Sequence, residues 1–477
     1  MLKNKLYLYG GDAITLPAHL HVGKFMLNKF KSFGTFDAFI NAATDERMTF
    51  KELTQQIVNI ALSLAHIGVK KGHVVSICSE NVMEFLPVVY GTLAAGATFS
   101  PIDVTCEKEA LLHRLNLVQP KILFFSPSGY KKHKESVKSL TFIEKIIIFG
   151  EAIEKTVGFK DFLTQHALVE DFEAAPVNGS EDIALILFSS GTSGVSKGIK
   201  LSHLSLLIYI QEKDDIMSLG LMTLGLFEWY SSYGLTLTFN MHQNGSTVVF
   251  YINADATKCF EIIEQYKINV MTTTPTTLVQ LMKLKNSSHY DTSSIKIISV
   301  TGTICDESTL EAIRKRMPSA LSVYQCYGMT ECGGICHPIH GYIGETIDYL
   351  DEEGFFKTGD IGYYDEDKYV YVVDRIKDLI KFNNYHVPPA EIEAIILQHP
   401  AVREVGVVGA KNEEFHELPT AFVVLQPGAQ VTEQELVDFV DKQVSYKMRL
   451  AGGVRFLEAL PRCTGVKVDR KKLRLML

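Results

Sequence analysis

The sequence predicts an α/β protein: a large N-terminal domain of mostly parallel sheets covered by helices, then a small α+β C-terminal domain. Two observations carry this. Short apolar runs alternate with amphipathic helical stretches as far as about residue 330, the pattern of parallel strands joined by helices. Past Pro388-Pro389 the order tightens to helix, strand, strand, helix within about a hundred residues, enough for a separate domain. The domains are expected at 1–376 and 377–477.

Each element follows from local chemistry. Thr49-Phe50-Lys51-Glu52 is a capping box, and Leu53, Ile57, Ile60, Ala61 and Leu64 recur at helical spacing until Gly68 stops the helix. Residues 74–78 read as a strand. Asn81 to Glu84 are expected to open a second capped helix that ends at Gly96. Residues 97–102 are extended, 107–116 helical and 122–125 a strand; 183–188 form a further apolar run. Beyond it, 246–252 and 270–273 are buried strands with a helix at 258–266 between them, and the strand 295–300 runs into Thr301-Gly302-Thr303. In the C-terminal part, 390–398 is helical, 405–409 and 420–425 are strands, and Thr432 with Glu435 caps a helix over 433–447.

Composition narrows the function. With 477 residues, 46% of them hydrophobic and 21% charged, the chain buries a large core. A net charge of -8 gives no support to nucleic-acid or anionic-membrane binding, so an anionic ligand needs local lysines and arginines. No stretch approaches the roughly 18 apolar residues of a membrane span, and no apolar segment of a secretory signal follows Met1. An intracellular, monomeric protein is expected, its eight cysteines too sparse for a disulfide framework. Cys326, Cys332, Cys336, His337 and His340 cluster in sequence, but their spacing is not that of a zinc site.

Four stretches carry chemistry. Ser189-Ser190-Gly191-Thr192-Ser193-Gly194-Val195-Ser196-Lys197-Gly198 holds three glycines, five hydroxyls and one lysine after an apolar strand. Glycines let backbone N–H groups crowd an anion, hydroxyls donate to phosphate oxygens, and Lys197 adds charge. The spacing is not that of a Walker A loop, and a plain Ser/Gly linker needs neither the lysine nor the strand. In Tyr324-Gln325-Cys326-Tyr327-Gly328-Met329-Thr330-Glu331, a tyrosine ring can stack on a base, while Thr330 and Glu331 suit a phosphate and its magnesium. Taken alone, this stretch is equally a strand end with core tyrosines. Lys357-Thr358-Gly359-Asp360 puts a carboxylate after a tight turn, able to accept from both hydroxyls of a ribose, with Arg375 further on. Pro461-Arg462-Cys463-Thr464-Gly465-Val466-Lys467 is a basic turn near the C-terminus.

Together, and in this order, these stretches resemble the adenylate-forming superfamily, which includes acyl-CoA synthetases, 4-coumarate:CoA ligases and beetle luciferases. The similarity covers nearly the whole chain from about Tyr7. It implies an ATP-dependent carboxylate:CoA ligase that joins a fatty or aromatic acid to AMP and then to coenzyme A. The resemblance implies Lys467, Thr192, Thr330 and Glu331 as catalytic residues, with Mg2+ at Thr192 and Glu331. For the nucleotide it implies Ser189, Ser190, Gly191, Thr192, Ser193, Gly194, Lys197, Gly302, Tyr327, Gly328, Thr330, Asp360, Arg375 and Lys381. It further implies a mobile C-terminal domain hinged near Lys377, the loop 381–386 with Asn384 replacing Lys467 in the second step. By the same resemblance the cytosol is expected, with the peroxisome as an alternative; Arg474-Leu475-Met476-Leu477 is not a Ser-Lys-Leu type address.

The chain departs from the family pattern in places. Ser196 replaces a proline, Cys326 a common glycine, and Val466 separates Gly465 from Lys467. Tyr230-Ser231-Ser232-Tyr233-Gly234 stands where relatives often have a His-His pair, and Thr301-Gly302-Thr303-Ile304 replaces a Gly-Gly-Ala-Pro-like stretch. Between His340 and Ile347 several dozen residues of a small β-rich subdomain are missing, leaving a truncated β-subdomain. That gap supports an alternative: a catalytically impaired relative that binds nucleotide or acyl-CoA. A light-emitting oxygenase shares the adenylation step but has no sequence mark here.

Overall fold

The computed structural model describes residues 16, 19–189, 196–210, 220–251, 255–284, 289–302, 305, 307–330, 333–336, 358–364, 370–382, 385–462 and 467–477. Two seven-stranded sheets build the N-terminal domain. One runs Val157–Gly158, Lys145–Ile148, Ile122–Phe125, Val74–Cys78, Thr98–Ile102, Ile183–Ser189, all parallel, and ends on the antiparallel Lys197–Ser202. The other runs Ser322–Gln325, Ile297–Val300, Val270–Thr273, Met222–Gly225, Thr247–Phe250, Asp37–Asn41, again parallel, and ends on the antiparallel Glu46–Thr49.

The helices Val22–Phe33, Phe50–His66, Phe85–Ala94 and Ser232–Gln243 share one core with both sheets. The predicted capping box is present at Thr49 and Glu52, and all five predicted apolar positions of that helix are buried. Each of the four Leu and Ile side chains contributes about 1.5–3 kcal/mol. Phe85–Ala94 is buried all round, and a Cβ on Gly91 would meet Ile60 Cγ2 at 2.6 Å. Only glycine lets these two helices approach so closely.

Asn81 does not cap that helix as the sequence predicts. The helix starts at Phe85, without a side-chain cap. The Asn81 amide instead donates to Phe227 O at 2.9 Å and accepts from Trp229 N at 2.8 Å, tying the two sheets together. Two buried backbone groups of a distant segment take both the donor and the acceptor of the amide.

The C-terminal domain packs the strands Tyr385–Val387, Ile380–Phe382, His416–Leu425, Val402–Asn412 and Val454–Phe456 against the helices Pro389–Leu397 and Glu433–Asp441. Thr432 and Glu435 form the predicted capping box. The helix stops at Asp441 rather than 447, because the extended backbone of Ser445 begins a separate short turn, Tyr446–Met448.

Between the domains lies a two-stranded ribbon, Asp360–Tyr364 with Val370–Arg375. Ile361, Tyr363, Tyr364, Val370 and Tyr371 are exposed on it. The segment 340–346, where the missing subdomain was inferred, lies outside the described residues. Among the described residues no helix is long and apolar enough to cross a membrane. Cys78, Cys106, Cys259, Cys305 and Cys326 are free thiols, and no described group of three or more His, Cys, Asp or Glu could hold a metal; Cys332, His337 and His340 lie outside the description.

Candidate active site

In parallel α/β sheets, ligands bind beyond the carboxyl ends of the strands, where loops are free to vary. The glycine-rich stretch grows from such an end. Ser189 pairs with Lys197 in an antiparallel register, and the stretch leaves and re-enters the sheet at these two residues. Its base is fixed by Ser196 Oγ donating to Ser189 O at 3.2 Å and by His113 Nε2 donating to Ser196 O at 2.8 Å. Ser189 Oγ is buried with no partner among the described residues. A buried hydroxyl left over at the mouth of a loop suits an incoming acceptor such as a phosphate. Ser190, Gly191, Thr192, Ser193 and Gly194 lie outside the described residues, as do Glu331 and Asn384.

The second sheet supplies the opposite wall. Three adjacent parallel strands end together: Cys326 N donates to Val300 O at 2.8 Å and Thr301 N to Thr273 O at 3.0 Å. Gly302 then turns with φ +97, a conformation side chains disfavour. Beyond Cys326 the short strand Tyr327–Met329, which contains Gly328, pairs with Gly333–Cys336. Thr330 Oγ1 lies 2.8 Å from Ser232 Oγ.

The most developed cluster is Tyr327, Asp360 and Arg375. Tyr327 OH donates to Asp360 Oδ2, and Arg375 Nε lies 3.2 Å from Asp360 Oδ1. Asp360 N donates to Thr358 Oγ1 at 3.1 Å, and Gly359 takes φ +76, so the turn aims the carboxylate. Burial, then the adjacent Asp360 carboxylate, pushes the Tyr327 phenol well above its usual value, so it stays a donor.

Near it, the Tyr233 hydroxyl faces Thr272, Cys326, Tyr324 and Tyr209. Although 37% of the residue is exposed, burial of the hydroxyl holds it far above the ordinary phenol range.

The C-terminal domain adds two lysines. Lys467 is exposed next to Val468, which forms an antiparallel bridge with Arg462, and Arg462 Nη2 lies 2.5 Å from Glu404 Oε2. Burial raises the Glu228 carboxyl, and the charge of Arg462 offsets part of that. Lys381 sits in the C-terminal sheet, its amide donating to Glu417 Oε2 at 2.8 Å; no described hydrogen bond or ion pair joins it to the Asp360 cluster.

Sequence reasoning missed a buried network behind Arg375. Asp374 accepts from Arg375 N at 2.7 Å and Ala390 N at 3.3 Å, and burial raises its carboxyl. Arg470 donates to both oxygens of Glu393 at 2.8 and 2.7 Å, and Arg474 Nη2 lies 3.3 Å from Asp378 Oδ1. The helix after Lys467 is thus tied to the interdomain linker. The spacing of Arg470 and Arg474, one turn apart on the final helix Arg470–Leu475, was the available signal. Ser232 was also missed; its stretch had been read only as a departure.

Residues 29–380 match the family described as AMP-binding enzyme, three-quarters of the chain. The chain belongs to that family. This AMP-binding enzyme also matches the family's C-terminal domain over residues 391–466. It is 29% identical to the luciferin 4-monooxygenase of Photuris pensylvanica, covering 100% of this chain and 98% of that protein. That alignment spans 539 positions against 477 residues, so the relative carries at least 62 positions without a counterpart here. A probable 4-coumarate–CoA ligase 2 of Dictyostelium discoideum is 27% identical, covering 90% of this chain and 91% of its own. Among solved structures, an anthranilate CoA ligase in complex with anthranoyl-AMP superposes with a TM-score of 0.82 at 20% identity, covering 97% and 98% of the two chains. The large N-terminal domain of parallel sheets and the smaller C-terminal domain are therefore those of the adenylate-forming fold.

Proposed function

We propose that this AMP-binding enzyme is an acid–thiol ligase. A carboxylate oxygen attacks the α-phosphate of ATP, forming the acyl-adenylate and releasing pyrophosphate. The sulfur of coenzyme A then attacks the acyl carbonyl, the carbonyl–phosphate bond breaks, AMP leaves and the thiol proton goes to solvent. The substrate class is a fatty or aromatic carboxylic acid, in keeping with relatives named 4-coumarate–CoA and anthranilate CoA ligases.

The observation that carries this reading is the Asp360 carboxylate, held among the described residues by Tyr327 and Arg375, which take two of its roughly four acceptor positions. Two adjacent ribose hydroxyls require two such positions. Ser189 Oγ, the Lys197 ammonium and the loop between them are proposed to receive the phosphates, with Gly302 and Gly328 leaving room for the nucleotide. Magnesium arriving with ATP supplies charge to the phosphates, and Thr192 and Glu331 are its proposed ligands. Thr330, oriented by Ser232, and Lys467 are proposed to stabilise charge at the α-phosphorus. The linker at 376/377 is proposed as the domain boundary, and Lys381 as the residue presented in the second step.

A second reading rests on the exposed ribbon. With Ile361 and Tyr363 exposed on the strand that begins at Asp360, the enzyme binds nucleotide but turns over poorly. Acid-dependent pyrophosphate release, measured over a panel of fatty and aromatic acids with and without coenzyme A, separates the two. Release and thioester formation with one acid support the ligase; nucleotide binding without release supports the impaired relative.

A further inference from the structure

One lysine crosses the domain boundary. Lys283 ends the helix Pro275–Lys283, whose Leu278 and Leu281 are buried in the core of the second sheet. Its Nζ donates to His399 O at 2.9 Å and to Val402 O at 2.6 Å, 116 and 119 residues further along the chain. Both carbonyls lie past the C-terminal end of the helix Pro389–Leu397, where the helix dipole favours a cation. Among the described residues no carboxylate pairs with this ammonium. Burial lowers it to about 8. Moving the C-terminal domain away would strip a half-buried cation of both acceptors.

We propose that Lys283 is a positioning residue: through His399 O and Val402 O it fastens the C-terminal domain to the second sheet's domain in the orientation the structure shows. Its kinetic consequence rests on the ligase reading; its structural consequence does not. The linker offers a direct reporter, because Ile376 N bonds Gly359 O at 2.9 Å and Asp378 N bonds Arg375 O at 2.9 Å.

The test compares Lys283→Met, which removes the donors, with Lys283→Arg, which keeps a cationic donor. In Lys283→Met, hydrogen exchange in the linker peptide 375–380 should accelerate about tenfold, the factor of one lost net hydrogen bond to a charged donor. Acid-dependent pyrophosphate exchange should fall by a similar factor, with thioester formation from supplied acyl-adenylate unchanged; Lys283→Arg should recover most of both. Faster exchange confined to peptides over 398–404 makes Lys283 a local helix cap and overturns the proposal, as does equal loss of both half-reactions. If the unmodified enzyme performs neither half-reaction, the ligase reading fails, and linker exchange alone still decides the clamp.

Discussion

Removing the Asp360 carboxylate should selectively abolish recognition of the ribose. A carboxylate offers about four acceptor positions; among the described residues Arg375 Nε at 3.2 Å and Tyr327 OH use two, and the proposed function assigns two to the 2′ and 3′ hydroxyls. A hydrogen bond to a charged acceptor is worth about 1.5–3 kcal/mol. Arg375 is partly exposed and turns to water when its partner goes, so Asp360→Ala should lose about 2–4 kcal/mol of nucleotide binding rather than the full sum. That corresponds to a rise in ATP Kd of about 30- to 1,000-fold. Calorimetric titration with ATP and 2′,3′-dideoxy-ATP, on the enzyme and on Asp360→Ala, closes a cycle. The enzyme should disfavour the dideoxy nucleotide by that factor, and the variant should bind both alike. A variant that melts normally and still prefers ATP would refute the ribose assignment.

Further outcomes are open to measurement. Lys467→Ala should cut adenylate formation by on the order of a hundredfold or more while sparing thioester formation from synthetic acyl-adenylate; equal loss of both steps counts against the role given to Lys467. Arg470→Met leaves the buried Asp374 and the partly buried Glu393 carboxylates without their cation, and should cost about 3 kcal/mol, read by thermal unfolding and partly recovered by adding Glu393→Gln. His203 and His242 are fully buried, and burial lowers both to about 3. His242 Nε2 donates to Ala38 O at 3.1 Å, so its Nδ1 accepts from Tyr90 OH at 3.0 Å and the ring is neutral. Depressed folded values mean this stability is complete above about pH 6.5 and fades as pH falls toward 3, by up to about 1.4 kcal/mol per unit for each ring. Urea midpoints should therefore drop between pH 7 and 5, less steeply in His242→Gln; a flat profile contradicts two neutral buried rings.

Much of the fold was legible because its signals are local. Val74–Cys78, Ile122–Phe125 and Val270–Thr273 coincide with the predicted strands, each a short run buried on both faces. Both capping boxes formed where the Thr-x-x-Glu pattern stood. What stayed hidden depends on distant partners. Asp37–Asn41 becomes a strand by pairing with residues 248–250, and Asn81 serves Phe227 and Trp229 rather than its own helix. In the site, Asp360, Tyr327 and Arg375 were each readable as candidates, but their junction spans 33 residues on one side and 15 on the other. Lys283 gave no local signal at all, since its acceptors are backbone carbonyls of another domain.

The central claim is that the enzyme activates a carboxylate with ATP. Incorporation of labelled pyrophosphate into ATP, followed with and without each of a panel of fatty and aromatic acids, reports that step without coenzyme A. The account predicts exchange that depends on one class of acid and collapses in Lys467→Ala. A folded enzyme that binds ATP yet shows no acid-dependent exchange across the panel would contradict it.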